Sequence, residues 1–327
     1  MSYLRIIHPG TYATVQDLGR PGYSEQAVAR GGAADRFSLA MGNRLIGNPD
    51  TSAGIEFSLS GGRFAFEDDT IIVMTGVADG PGAARPECDG HFIPLWEPIE
   101  LRGGQVVNIG GFTAGASLYL CVRGGVNTAP VLGGRGTHHI GGFGGHEGRA
   151  LIPGDRLPIG TEHPRTPRSA GAAWRGLTAR VLDRSCLRIL PGPHAPLIAG
   201  AFDEFWRGAR LTMTPHSDRA GSRFIGPRAR REHEGTLVTE GAFRGAMQYP
   251  GDGLWIILGP DGPTTGGYPI AASVSARSVP ALGQLRPSDS VVMLPSTPRE
   301  ERDALRVLAA EIDAELPPVD HGRGPVW

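Results

Sequence analysis

Short apolar runs broken by turn residues recur along the chain: Thr70 to Thr75, Gln105 to Ile109, Ser117 to Val122, Leu187 to Leu190, Thr236 to Val238, Leu254 to Leu258 and Ser290 to Leu294. Runs this short, rich in β-branched residues, predict strands. Helical spacing is confined to three stretches. Ala34 to Ile46 has an acid near its start, Leu197 to Trp206 is a second candidate, and Pro298 to Leu316 opens with a proline and acids and reads as a C-terminal helix packed on the surface. The strand pattern stops at Gly160 to Arg175, where Pro164, Pro167, Arg165, Arg168 and a run of small residues read as a linker. The expected division is a β domain over 1–165, a linker over 166–180, a second β domain over 181–297, and a helix and tail over 298–327.

A faint echo connects the two halves. Asp35-Arg36 leads into Arg44-Leu45-Ile46-Gly47-Asn48 much as Asp218-Arg219 leads into Arg223-Phe224-Ile225-Gly226-Pro227, and Ile71 to Gly76 reaches Asp79-Gly80-Pro81 as Trp255 to Gly259 reaches Asp261-Gly262-Pro263. If the echo is a repeat, equivalent turns of two β domains face one cleft.

Composition narrows the chemistry. At 327 residues with 50 glycines and 28 prolines, the chain is turn-dense yet has enough apolar residues to fold, and two domains is the natural division. All 32 basic residues are arginine. Without lysine there is no standard Walker A loop, no Schiff-base chemistry, no Ser-Lys hydrolase site, and no amine to carry biotin or lipoate. A formal net charge of −1 gives no reason to expect nucleic acid or an anionic membrane as partner. The first residues contain no long apolar segment, and nowhere do about 18 apolar residues run together, so a cytoplasmic protein is expected. Cys88, Cys121 and Cys186 are far apart and read as buried thiols of a reducing compartment.

The candidate chemistry lies in polar and glycine-rich turns. Asp261-Gly262-Pro263-Thr264-Thr265-Gly266-Gly267-Tyr268-Pro269 follows a strand and carries an acid, two hydroxyls and a phenol. Gly266 and Gly267 are expected to take positive φ and bring backbone amides close to a ligand, although a plain hairpin explains the same run. Gln16, Asp17 and Arg20 could orient a planar carboxylate or ureido group, and an Asp-Arg pair bracing a turn uses the same residues. Gly31 to Asp35 could offer amides to an anion, or Asp35 could cap the helix that follows. The segment from Leu132 to His146 is the most glycine-dense, with an anion-binding nest under Arg135 as one reading. No metal site is expected there. His138, His139 and His146 lack an accompanying ligand pattern and read as solvent-exposed loop histidines. Ser217-Asp218-Arg219 and Gln248 complete the set; no G-x-S-x-G elbow accompanies Ser217, and His216 beside it is expected to point to the other side of a strand.

These landmarks occur in a recognisable order. Thr14-Val15-Gln16-Asp17-Leu18-Gly19-Arg20, Asn43 with Gly47-Asn48, Arg123-Gly124-Gly125-Val126, Leu132-Gly133-Gly134-Arg135, Gly154-Asp155, Pro191-Gly192-Pro193, Ser217-Asp218-Arg219, Gly245-Ala246-Met247-Gln248, Thr264 to Pro269 and Gln284-Leu285-Arg286-Pro287 follow one another from about residue 8 to about residue 295. On them the chain resembles the carboxyltransferase A/B-subdomain family, which includes allophanate hydrolase subunit 2 and the C subunit of 5-oxoprolinase.

The resemblance implies a mainly β protein of two cyclophilin-like β-barrel domains with a few short helices. It implies partners: a kinase-inhibitor-like B subunit, which is the carboxyltransferase C/D subdomain, and in bacterial 5-oxoprolinases an A subunit. Such a complex uses ATP to open the lactam of 5-oxoproline to glutamate, and this chain would be inactive alone. Relatives within urea carboxylase instead transfer a carboxyl group from biotin to urea, and a regulatory partner of the B subunit without catalysis is a further alternative. The site implied is catalytic at Asp261, Asp17 and Tyr268. It binds a small amide or lactam through Gln16, Arg20, Asp35, Arg135, Asp218, Arg219, Gln248, Thr264, Thr265, Gly266, Gly267 and Gln284. The chain departs from the family pattern at Pro263, where glutamine is common, at Ile270, where lysine is common, and at Gly134-Arg135-Gly136, where serine-arginine-serine is usual.

Overall fold

In a computed structural model, residues 2–76, 81–161, 165–169, 172–198, 202–229, 237–251 and 253–319 are described. Alternation sets the first strand, where Leu4 and Ile6 are buried between more exposed neighbours. The strands of the first half are β1 (Tyr3–His8), β2 (Tyr12–Gln16), β3 (Gly54–Ser58), β4 (Arg63–Phe66), β5 (Thr70–Thr75), β6 (Glu87–Cys88), β7 (His91–Phe92), β8 (Ile99–Leu101), β9 (Val106–Asn108), β10 (Ser117–Val122) and β11 (Arg156–Pro158). They form a six-stranded sheet in the order β11-β1-β4-β9-β6-β7 and a five-stranded sheet in the order β2-β3-β10-β5-β8. Phe57 of one sheet stacks on Phe64 of the other with ring centroids 6.3 Å apart. Every residue of β10 is buried, because α1 (Arg36–Leu45) covers its sheet and accepts the Thr75 hydroxyl at the Ser38 carbonyl, 2.8 Å away.

The second half contains β12 (Cys186–Pro191), α3 (Ala195–Ile198), α4 (Phe202–Trp206), β13 (Arg210–Met213), β14 (Gly221–Ile225), β15 (Glu240–Gly241), β16 (Ala246–Gly251), β17 (Leu254–Leu258), β18 (Thr265–Gly266), β19 (Ile270–Val274), α5 (Val279–Leu282), β20 (Ser290–Pro295) and α6 (Pro298–Glu315), after α2 (Ala172–Val181). Seven of these strands close into a barrel, β12-β19-β16-β17-β14-β13-β20, through a parallel β12–β20 pairing that leaves no free edge. Its core holds Leu187, Ile189, Leu211, Phe224, Met247, Trp255, Ile257, Val291 and Met293. Trp206 meets Trp255 nearly edge-on at 4.7 Å. β15 and β18 form a separate two-stranded ribbon. The chain divides into two compact units, one of residues 1–20, 31–180 and 309–327, the other of residues 21–30 and 181–308.

Several sequence expectations change. Part of the linker is helix: Trp174, Leu177 and Val181 of α2 are buried at helical spacing, and Trp174 stacks on Phe37 at 6.2 Å. The run Leu197 to Trp206 contains two short helices, with residues 199–201 outside those described. Thr236 also lies outside, and Leu237 and Val238 form no strand; Leu237 donates its N–H to the Gly267 carbonyl at 3.2 Å. The first echo dissolves, since Arg36 to Leu45 is helix whereas Gly221 to Ile225 is strand. Asp79 and Gly80 of the second echo lie outside the described residues. His216 and Ser217 stand in a turn, where Ser217 Oγ accepts from the Arg223 N–H at 2.9 Å.

Candidate functional site

Two polar regions carry the candidate residues, one in each unit. In the first, β2 ends at Gln16 and the chain turns at once through Asp17. The Asp17 carboxylate accepts the N–H of Gly19 at 2.8 Å through Oδ1 and the N–H of Arg135 at 2.5 Å through Oδ2. Arg20 is almost wholly buried; it donates from Nη2 to the Gly136 carbonyl and places its guanidinium 4.9 Å from the Phe143 ring centre. Gln16 donates to Thr14 Oγ1 at 3.0 Å and to the Thr137 carbonyl at 3.2 Å, and its own Oε1 is buried without a donor. The turn is therefore stitched to the glycine-rich segment more than a hundred residues later.

Several amides of that segment are used internally. Thr137 donates to the Val15 carbonyl at 2.8 Å, Gly141 to His138 Nδ1 at 2.9 Å, and Gly145 to the Arg135 carbonyl at 2.9 Å. Arg135 itself donates from Nη1 to the Thr128 carbonyl. These amides, and Nη1 of Arg135, are engaged within the chain. The expectation of exposed loop histidines fails for His138, which is buried and stacked on Phe143 at 4.9 Å.

Asp35 is the N-cap of α1, accepting from the Ser38 N–H at 3.0 Å and the Ser38 hydroxyl at 2.5 Å. The amides before it are also engaged. Ala34 donates to Glu56 Oε2 at 2.7 Å, and Asp35 donates to the Tyr119 hydroxyl at 2.8 Å. Tyr119 in turn donates to Glu56 at 2.8 Å, and burial together with Glu56 and Asp35 pushes its phenol pKa well above the ordinary value.

In the second unit, β17 runs into the turn that begins at Asp261. The Asp261 carboxylate receives Arg219 Nε at 2.8 Å and Nη2 at 3.3 Å, and its side chain is only 1% exposed. Asp218 accepts the N–H groups of Ala220 and Gly221 at 2.8 and 2.9 Å. Beyond Asp261 and Gly262 the chain surfaces: Pro263, Thr265 and Tyr268 are exposed, Thr264 partly so, and Pro269 and Ile270 are buried again. The hydroxyls are thus displayed on a loop whose two ends are anchored.

Gly266 and Gly267 do not take positive φ. Space there is tight: a Cβ on Gly266 would stand 3.0 Å from Gln248 Nε2, and one on Gly267 would stand 3.2 Å from the Leu237 carbonyl oxygen. Gln248, buried on β16, is thereby brought against the displayed turn. Gln284 is buried just after α5, its N–H donating to the Ala281 carbonyl at 3.0 Å. Two further polar residues of this region escaped the sequence reading. His194 accepts the Ile270 N–H at Nδ1, 3.1 Å away, and Glu240 stands opposite Gly266 in the ribbon. The signal for His194 was its place directly after Pro191-Gly192-Pro193; Glu240 had none.

The model of the carboxyltransferase domain family, subdomains A and B, matches residues 26–294. The chain belongs to this family. Among carboxyltransferase-domain relatives, the 5-oxoprolinase C subunit of Escherichia coli is 31% identical over 86% of this chain and 87% of its own length. The Haemophilus influenzae protein of the same name is 30% identical over 84% and 85%. Urea amidolyase of Saccharomyces cerevisiae is 30% identical over 89% of this chain, which spans only 16% of that protein. The Kluyveromyces lactis urea carboxylase crystal structure superposes with a TM-score of 0.87 at 26% identity, over 98% of this chain and 29% of that one. These relatives accord with the mainly β architecture and the closed barrel. Among the described residues, no helix is long and apolar enough to cross a membrane.

Proposed function

We propose that this chain is the C subunit of a cytoplasmic 5-oxoprolinase-type complex that uses ATP to hydrolyse a lactam, working with a B subunit plus an A subunit. The observation that carries this reading is similarity over most of both lengths to 5-oxoprolinase C subunits, 86% of this chain against 87% of the Escherichia coli relative. A lactam carbonyl is a poor electrophile, and phosphorylation of its oxygen activates it.

Here the substrate amide is held and shielded from water. Thr264, Thr265 and Tyr268 offer hydroxyls on the displayed turn, with the Gln248 amide beside Gly266. Asp261 and Arg219 fix the turn. In this reading Asp17 and Asp261 also position the turns they hold.

In a complex reconstituted with its partners, ATP-dependent release of glutamate from 5-oxoproline is expected. Tyr268→Phe and Thr265→Ala should each lower kcat/KM about tenfold, the loss of about 1.4 kcal/mol of interaction. Full activity in both variants would remove the turn from the site.

The second reading is a carboxyltransferase acting on urea or a related amide, with carboxybiotin presented by another chain as its substrate. It is favoured by the fit over 98% of the chain to the Kluyveromyces lactis urea carboxylase. Carboxybiotin-dependent carboxylation without turnover of 5-oxoproline selects it.

A further inference from the structure

Gln248 is 4% exposed, and its carboxamide has no hydrogen-bond partner among the described residues. Its surroundings are apolar. In register it stands beside Ile256 of β17 and Ile270 of β19, whereas Met247 and Ile257 fill the barrel core. Ala246, Leu258 and Ile270 form a small buried cluster apart from that core, with Ala242 and Ile256 packed against it. An amide buried among such groups without a partner destabilises a fold, so its retention points to a ligand. The residue beside it supplies a second observation. A Cβ on Gly266 would have one neighbour within 4 Å among the described residues, chain neighbours apart: Gln248 Nε2, at 3.0 Å. Glycine at 266 therefore leaves the amide uncovered, and a side chain there would cover it.

A primary carboxamide carries an N–H and its carbonyl oxygen side by side on one edge, and that edge pairs with any ligand edge of the same pattern. The ring of a small lactam holds its amide cis, which puts N–H and C=O on one edge, and urea has the same edge. A trans peptide amide places the two on opposite sides; an N-alkyl lactam and a lactone have no N–H. We propose that Gln248, reached over the open face of Gly266, selects ligands by this edge. The Nε2 group donates to the ligand carbonyl, and the ligand N–H donates to Oε1. Lactams, ureas and primary amides fit, whereas trans amides, N-alkyl lactams and lactones do not. For turnover this inference rests on the lactam reading of the displayed turn; for binding it stands on the amide alone.

The test follows the Gln248 side-chain NH2 group of the full chain by nitrogen-15 NMR, its signals assigned by their loss in Gln248→Met. Pyrrolidone and urea should each shift that group to saturation. N-methylpyrrolidone and butyrolactone should bind at least about tenfold more weakly, the loss of one of the two hydrogen bonds. An NH2 group that pyrrolidone does not move, or equal affinity for the N-methyl compound, overturns the proposal. Gln248→Met keeps the side-chain length and removes the unpaired amide. It should melt no lower than the wild type, yet bind pyrrolidone at least about tenfold more weakly, read at the Gly266 amide. A variant that melts lower has lost a structural amide, and that result overturns the proposal, as does unchanged binding. Gly266→Ala, with Gln248 in place, should weaken binding by the same factor. In the reconstituted complex, 5-oxoproline turnover undiminished by Gln248→Met overturns the selection and leaves the proposed function standing. A wild-type complex silent on both 5-oxoproline and urea defeats the proposed function, while pyrrolidone binding decides the selection separately.

Discussion

A Cβ at Gly136 would stand 2.8 Å from Asp17 Oδ1 and 2.9 Å from Gln16 Oε1. Gly136→Ala should therefore push the carboxylate off its amide donors and cost about 1–3 kcal/mol in urea unfolding. Gly134→Ala, whose Cβ would be 3.3 Å from Arg20 Cβ, is the matched control and should cost only about 0.5 kcal/mol. Asp261→Ala removes the carboxylate fork from the Arg219 guanidinium and should destabilise by about 1–3 kcal/mol, with Asp261→Asn losing less because it keeps one acceptor. The identity of these residues was visible in the sequence, but their orientation was not. An aspartate three residues before an arginine serves a ligand or a brace equally well, and only the fold shows that the Asp17 carboxylate accepts the amides of Gly19 and Arg135.

Between local elements, Arg44 shows how a helix can be tied by one side chain. It forms a fork with Asp50, 2.8 Å at both Nε and Nη2, and donates from Nη1 to Asp313 at 2.7 Å and to the Leu316 carbonyl at 2.9 Å. Arg44→Ala should cost about 3 kcal/mol and speed amide exchange over the last turn of α6, read by hydrogen-exchange mass spectrometry. The helix itself was legible, because Pro298 and its acids mark a start. Its C-terminal anchor was not legible, since Arg44 and Asp313 are 269 residues apart. α2 was missed for a related reason: small residues and prolines around it read as linker, and the distant Phe37 and Trp96 supply the surface that makes a helix of Trp174 worthwhile.

Across the chain, the absence of lysine appears in three dimensions as arginine forks. Arg149 grips Asp155 at 2.8 and 2.9 Å in the first unit, and Arg277 grips Glu301 at 3.0 and 3.3 Å in the second. Burial would raise the pKa of both acids, but hydrogen bonds prevail. Arg149 and the Ile152 amide hold Asp155 below its ordinary value, and Arg277, Ser275 and Ser296 do the same for Glu301. A carboxylate with a depressed folded pKa stabilises the fold fully above its unfolded value and loses that contribution as pH falls through the folded one. Stability should therefore decline below about pH 4.5, the ordinary glutamate range. Glu301→Gln and Asp155→Asn should each be less stable at pH 7 and show a shallower acid limb in denaturant titrations at stepped pH.

Sequence alone determined the mainly β class, most of the strands, the exclusion of lysine chemistry and the order of turns that places the chain in its family. These are local properties, carried by alternation, β-branching and turn residues within a few positions of one another. The fold in space decided what each polar residue does. It turned Asp17 onto the Arg135 amide 118 residues away, made a cap of Asp35, left Thr265 and Tyr268 on display, and set His194 on the Ile270 amide. Hydrogen bonds of that kind exist only once the sheets and the barrel have closed, because closure removes water as the competing partner and fixes which donor meets which acceptor.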